Sequence, residues 1–326
     1  MKRSLPLLLL ALALLATVPG AAPTPADAQE AITLRIAMRS ARRGSVWRRT
    51  LDAWDQSLRT ATNGQIRMAF SDPEDFAAQL GRGSLEGASM PVADLGELAG
   101  EVRVLGAPGL ITSYDQADRV VRGMGGDFEA RFAAQGYKVL GWFDIGLTRI
   151  LSKRPIAQPS DLRGLQAWTP TRDQAFTKFL EVVGARPVRL PMEQVAGRLG
   201  SLDVVPTSAL AAIFMNWYHE MNHITQQGRG VIMAATVVKQ EAFDRLSAEQ
   251  QAALLESARR AHEILRRNHR RQDDEAMRTL AGRGYTMVDI APHQAAWDAA
   301  SLQARNGLAG SLYPRALLDQ VTRAIR

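Results

Sequence analysis

The sequence predicts an α/β protein of two lobes, with a central ligand cleft and a long helix bridging the lobes. Three observations predict it: a strand–helix–strand opening, a run of strand-forming residues too long for one sheet, and a helix signal longer than one lobe needs. The opening is "ITLRIAM", Ile32 to Met38, which alternates apolar and polar residues as a half-buried strand does. After the loop "RSARRGS", Val46, Leu51, Trp54 and Leu58 recur at helical spacing, Asn63-Gly64 closes the helix, and "QIRMAF" forms the next strand. A β-α-β start of this kind favours a parallel sheet covered by helices. The stretch to about Ile111 continues the helix–strand alternation, and its glycines Gly81 and Gly83 lack the Gly-Lys-Ser/Thr of a phosphate loop.

The over-long run is "YKVLGWFDIGLTRILSKRPI", Tyr137 to Ile156, which suits a segment leaving one sheet for another. "QPSDLRGLQAW" gives a turn and a short strand, "RDQAFTKFLEVVGA" a helix ending at Gly184, and "RPVRLPMEQVAGRLGSLDVVP" a strand, a helix and a strand. Ala209, Ile213, Asn216, Trp217 and Glu220 fit one side of a further helix. The longest helix signal starts at Ser247, where Ser247 and Gln250 make a capping box, and runs to about Gly282. Such a helix reaches roughly 50 Å. Apolar residues gather at its two ends and are missing from Arg266 to Glu275, a pattern that bridges two domains.

The first residues bound the compartment. Lys2 and Arg3, an apolar run from Leu5 to Val18 and then Ala26-Asp27-Ala28 have the layout of a signal peptide spanning 1–28. The apolar run falls short of the about 20 residues of a membrane span, so a cleaved leader and a periplasmic protein are expected, with an uncleaved anchor as the alternative. The chain has no cysteine, which excludes disulfides, thiolate metal sites and a cysteine nucleophile. A length of 326 residues suits two domains. The net charge of +7 comes mainly from arginines, but export argues against a nucleic-acid partner. The densest cluster, "RRNHRR" from Arg266 to Arg271, precedes Asp273, Asp274 and Glu275 and reads as a solvated helix face.

One motif suggests chemistry. His219-Glu220-Met221-Asn222-His223 spells H-E-x-x-H, which on a helix sets two histidines one turn apart to share a zinc, with Glu220 as general base. A catalytic zinc needs a third protein ligand. The extended motif fails, because Gln226 and Arg229 stand where its glycine and third histidine belong. An exported zinc hydrolase using His219 and His223 is therefore the alternative reading, and two histidines on an amphipathic helix the simpler one. No G-x-S-x-G is present, and no cofactor is expected.

Several blocks carry a resemblance. "SDLRGLQAW", "VGARPVRLPMEQV", "LGSLDVVPTSAL" and the early "RSARRGSVWRRTLDAW" are similar to the blocks of DctP-type solute-binding proteins of TRAP transporters, the last without the family's proline. The resemblance covers nearly the whole mature chain and implies a non-enzymatic, two-lobe periplasmic binding protein fold. Its lobe I would comprise 29–146 and 230–266, and its lobe II 147–229 and 267–326. The implied partners are a small-molecule ligand and the TRAP membrane permease subunits. In better-known members an arginine four residues beyond the D-L-[KR]-G glycine clamps a carboxylate; counted from Gly164, that position is Trp168. "GLQAW" and "VVPTSALAAIFMNW" resemble the subfamily associated with a periplasmic tetratricopeptide-repeat protein. A ligand with apolar or ring surface follows as an expectation, with Arg172 or Arg39 supplying a displaced anion contact.

The candidate cleft also follows from fold physics, since ligands of two-lobe α/β proteins sit at the carboxyl ends of strands. That rule selects Ser40, Ser45 and Trp47 after the first strand, Trp142 and Asp144 on the crossing strand, Trp168 and Asp173 after the next, and Pro206, Thr207 and Trp217 after the last. For Trp47 and Trp217, packing between helices is the competing reading.

Overall fold

Two hydrophobic patterns build two sheets. At the edge of the first sheet, "IRMAFS" buries every second residue, while the interior strand "GASMP" is buried almost throughout, on both of its faces. The computed structural model describes residues 31–38, 46–72 and 76–326; the expected leader 1–28, Arg39, Ser40 and Ser45 lie outside them. The described elements run β1 (Ile32–Met38), α1 (Val46–Ala61), β2 (Ile66–Ser71), α2 (Phe76–Gly81), β3 (Gly87–Pro91), α3 (Val92–Leu95), α4 (Tyr114–Ala133) and β4 (Tyr137–Leu147). Next come β5 (Arg149–Ser152), β6 (Gln166–Pro170), α5 (Gln174–Val182), β7 (Arg186–Leu190), α6 (Met192–Val195), β8 (Val204–Thr207), α7 (Ala209–Phe214) and β9 (His223–Thr225). The chain ends with β10 (Val231–Lys239), α8 (Gln240–Asp244), α9 (Ala248–Gly282), β11 (Thr286–Val288), α10 (Gln294–Leu308) and α11 (Arg315–Ala324). Residues 100–106, within the stretch expected to keep alternating helix and strand, form a buried 3-10 turn.

Among the described residues, one sheet has the order β2-β1-β3-β10-β4 and the other β11-β9-β5-β8-β6-β7. In the first, β1 runs parallel to β2 and β3, while β10 is antiparallel to β3 and β4. In the second, β6 is parallel to β7 and β8, and β5 is antiparallel to β8 and β9. The long run Tyr137–Ile156 is the crossing: β4 closes the first sheet, Thr148 alone intervenes, and β5 opens in the second. A return crossing lies beside it. Thr148 N donates to Gly230 O at 2.8 Å and Arg229 N donates to Thr148 O at 2.8 Å, so two opposed segments pair where the sheets meet.

Each sheet buries both faces. The first packs one face on α1 and the start of α9 through Leu34, Trp54, Leu254 and Leu265, and the other on α4 and α11 through Phe128, Phe132, Leu317 and Val321. The second packs on α5 and α10 through Phe179, Leu180 and Trp297, and on α7 and the end of α9 through Ala209, Ala276 and Leu280. The 35-residue α9 thus contributes to cores of both sheets and begins at the Ser247–Gln250 capping box. This is the two-lobe α/β architecture with its bridging helix. Two features depart from the sequence reading. The last helix, α11, packs in the first sheet's core, whereas 267–326 was expected with the second. The middle of α9 is solvated on one face only: Arg267, Arg271, Asp274 and Glu275 are exposed, as expected, but His269 and Asp273 are 1% and 0% exposed.

Candidate functional site

A cleft of about 500 Å³ opens where strands of both sheets end. The first lobe lines it with Met38 at the end of β1, Ser89 to Asp94 along β3 and α3, and Phe143 and Ile145 of β4. The second lobe lines it with Trp168 and Pro170 of β6, Arg172 to Phe176, Pro206 and Thr207 of β8, and Leu210 and Phe214 of α7. Most of these side chains are apolar. Among the described residues, the charged groups in the wall are Asp94, Arg103, Arg172, Asp173, Glu193 and Arg229.

Trp168 is a fixed wall. It is 2% exposed, its Nε1 donates to Leu190 O at 3.0 Å, and Trp217 meets it edge-on with centroids 5.1 Å apart. With its one polar atom committed, it offers the cleft only carbon surface. Trp47 comes from the opposite lobe, 6.2 Å from Phe214 between ring centroids and 3.9 Å from His269. Asp173 caps α5, accepting from Phe176 N at 2.8 Å. Burial in the wall pushes its carboxyl up to about 6; the Phe176 bond opposes that, and the charge of Asp94 adds to it. Arg172 reaches across from the β6–α5 turn to within 3.8 Å of Asp94 on α3, a pair in which both side chains stay well exposed. Arg229 is instead drawn to Asp298 at 2.8 Å and lies over the Trp297 ring.

Of the residues selected from sequence, Trp47, Trp168, Asp173, Pro206 and Thr207 line this cleft. Ser40 and Ser45 lie outside the described residues. Three others sit elsewhere. Trp142 packs against Phe128 and Phe132 at 6.1 and 6.2 Å, and Asp144 is buried under Arg270, whose Nη2 donates to it at 2.6 Å. Both point to the side of β4 opposite Phe143 and Ile145, because alternate residues of a strand face opposite ways. Trp217 is fully buried behind Trp168 and supports the wall without reaching the cleft. Phe143, Ile145, Asp94 and Phe214 were missed; the alternation of β4 held the signal for the first two.

The H-E-x-x-H stretch does not form the helix its zinc chemistry needs. α7 stops at Phe214, Asn216 takes the left-handed conformation at φ 62°, and His219 ends a 3-10 turn while His223 starts β9. Each ring bonds a neighbouring asparagine: His219 Nε2 lies 3.0 Å from Asn216 Oδ1, and His223 Nδ1 lies 2.6 Å from Asn222 Oδ1. Among the described residues no three His, Cys, Asp or Glu side chains are grouped to hold a metal. The zinc-hydrolase alternative is therefore set aside, and so is the plain helix that was its rival.

Comparison with known proteins gives the same architecture. The family model for bacterial extracellular solute-binding protein, family 7 (DctP), matches residues 38–305. A solute-binding protein of Verminephrobacter eiseniae is 26% identical over 194 residues, covering 58% of this chain and 57% of its own length. The 2,3-diketo-L-gulonate-binding periplasmic protein YiaO of Escherichia coli is 24% identical, covering 63% and 65%. These alignments thus span less than two thirds of either relative. The sugar acid binding protein DctPAm of Advenella mimigardefordensis, solved with galactonate, superimposes with a TM-score of 0.83 at 15% identity, over 90% of this chain and 98% of that one. Members of this family are extracytoplasmic, bind small ligands and work with membrane permease components. No helix among the described residues is long and apolar enough to cross a membrane. Family model, two-sheet architecture and bridging helix agree, and the chain belongs to the DctP family of solute-binding proteins of TRAP transporters.

Proposed function

We propose that this chain captures a small organic acid with a large apolar or aromatic body and hands it to a TRAP membrane permease without changing it chemically. The observation that carries the reading is the pairing of an apolar cleft with a half-exposed guanidinium: Trp168, Phe176 and Phe214 in the walls, and Arg172 in a 3.8 Å pair with Asp94. Arg172 would take the ligand's carboxylate through charge-assisted bonds. Trp168 stands where better-known relatives are expected to carry their clamp arginine, so the anion contact moves to the turn that follows. The names of the Escherichia coli and Advenella proteins, which bind sugar acids, support the carboxylate. The hydrocarbon walls support a body with fewer hydroxyl groups, because each unpaired hydroxyl buried there costs about 1–3 kcal/mol. Removal of the leader after Ala28 and docking to a tetratricopeptide-repeat protein belong to the same proposal, the latter resting on "GLQAW" and "VVPTSALAAIFMNW".

The test is a melting-temperature screen of the purified protein against aryl acids, branched acids and sugar acids. A ligand at 100 times its Kd adds about 2.7 kcal/mol of stability, a plain upward shift. Trp168→Ala should lose the shift from aryl acids while the free variant still melts cooperatively. An unchanged shift would remove Trp168 from the site.

A further inference from the structure

The middle of α9 carries a buried carboxylate that the proposed ligand chemistry does not use. Asp273 is 0% exposed and receives bonds from three separate segments. Its Oδ2 accepts from Arg149 Nη1 at 2.7 Å, at the start of β5, and from Leu147 N at 3.3 Å, at the end of β4. Its Oδ1 accepts from Leu210 N at 2.9 Å, in the first turn of α7. These segments have distinct places in the architecture. Leu147 and Arg149 flank the single residue by which the chain passes from the first sheet to the second, and Leu210 lies in the cleft wall.

The surrounding backbone leaves no slack. Gly146 has φ 132°, and a Cβ there would stand 2.7 Å from Ser208 Cβ and 3.0 Å from Asp273 itself. On the return crossing, a Cβ on Gly228 would stand 2.7 Å from Leu147 Cβ. Both crossings and the bridging helix therefore meet at one buried point with the Asp273–Arg149 ion pair at its centre. A salt bridge of this kind is weak support for stability, since its desolvation offsets its attraction, but it fixes geometry. The other carboxylate partners on this helix differ in kind: Arg270 pairs with Asp118 of α4 and Asp144 of β4, both within the first lobe.

We infer that Asp273 is the hinge pin of the molecule, a positioning residue that ties the bridging helix to the crossing strand and to the α7 wall, and so sets how far the two lobes open. The inference rests on the reading that the lobes move about this crossing to admit a ligand. Closure by hinge motion requires a few element-terminal residues to absorb the rotation, and Leu147 to Arg149 are such residues. With its three bonds at the axis, Asp273 lets the lobes turn about the crossing without parting from it.

The test needs no ligand, so it fails or succeeds apart from the ligand proposal. The chain has no cysteine, so Gln56→Cys on α1 and Glu181→Cys on α5 place a spin label on each lobe of the full-length protein. Double electron–electron resonance then reads the distribution of distances between lobes. Asp273→Asn, and Arg149→Lys should the first variant not fold, is expected to broaden the distribution and move it to longer distances. Asp118→Asn, which removes from α4 a carboxylate partner of Arg270 within one lobe, should lower the melting temperature and leave the distribution unchanged. A parental distribution in both pin variants, or an equal broadening in Asp118→Asn, would overturn the inference.

Discussion

Arg172 and Trp168 lie four residues apart on β6 and the turn after it, and between them they set the selectivity proposed for the cleft: one offers charge, the other only carbon. Because Arg172 is well exposed and its 3.8 Å pair with Asp94 is loose, its removal should barely touch the fold. Arg172→Gln is predicted to weaken binding of an aryl acid by about 1.5–3 kcal/mol, more than tenfold in Kd, and to move the unliganded melting temperature little. Isothermal titration of both proteins checks this, and a Kd unchanged in the variant would refute it. A second prediction concerns protons. Burial holds the His262 and His269 rings neutral, with pKa near 4, while it pushes Asp173 up to about 6. The unfolded histidines take up protons near pH 6.5, so their contribution to stability is whole above that pH and is lost as pH falls towards 4, on the order of 3 kcal/mol apiece. Asp173 acts in the opposite sense, since its folded form binds the proton first, and acidification from 6 to 4 returns stability. Burial raises Asp144 as well, with the same sign as Asp173, while Asp118, held low by the Arg270 bond, acts with the two histidines, and the net change follows the histidines. Denaturant titrations should therefore show the unfolding free energy falling between pH 6.5 and 4, and a flat or rising profile would contradict the burial described.

Among the elements, the crossing β4–β5 packs closely against α7 and the middle of α9. Gly146→Ala would place a methyl 2.7 Å from Ser208 Cβ at a backbone φ of 132° that side chains rarely adopt. A loss of about 1–3 kcal/mol is expected, measured by chemical denaturation; a neutral result would show that the crossing can relax. What was legible here follows from the range of the forces involved. The capping box at Ser247 and the helical spacing are local, and they located both ends of α9. The burial of His269 and Asp273 depends on Asp144, Arg149 and Leu210, residues far away in sequence, so "RRNHRR" and the acids after it read as solvated. The same limit explains β4. Its strand character was plain, but which face met α4 and which the cleft depended on tertiary packing, and a choice by residue type took Trp142 and Asp144 where Phe143 and Ile145 belong. At Asn216 a single left-handed residue ended the helix that the H-E-x-x-H motif presupposed. Asparagine tolerates that conformation, yet nothing in the pattern before it required the turn.

At the scale of the whole molecule, the order of strands and helices gave the two-lobe class, because the crossing and the bridging helix leave long, simple signals. The return of α11 to the first core left none: an amphipathic helix shows which of its faces is buried and not which sheet receives it. The cleft unites these scales, since strand ends supply its walls and α9 joins the lobes that bound it. We propose that it is an acid-binding, largely apolar site. The decisive experiment is isothermal titration of the purified protein with phenylacetate, galactonate and benzyl alcohol, each against wild type and Arg172→Gln. Wild type should bind phenylacetate more tightly than galactonate, benzyl alcohol should bind weakly and equally to both proteins, and Arg172→Gln should lose the preference for the acid. Binding of galactonate alone, or a preference for the acid that survives without Arg172, would contradict it.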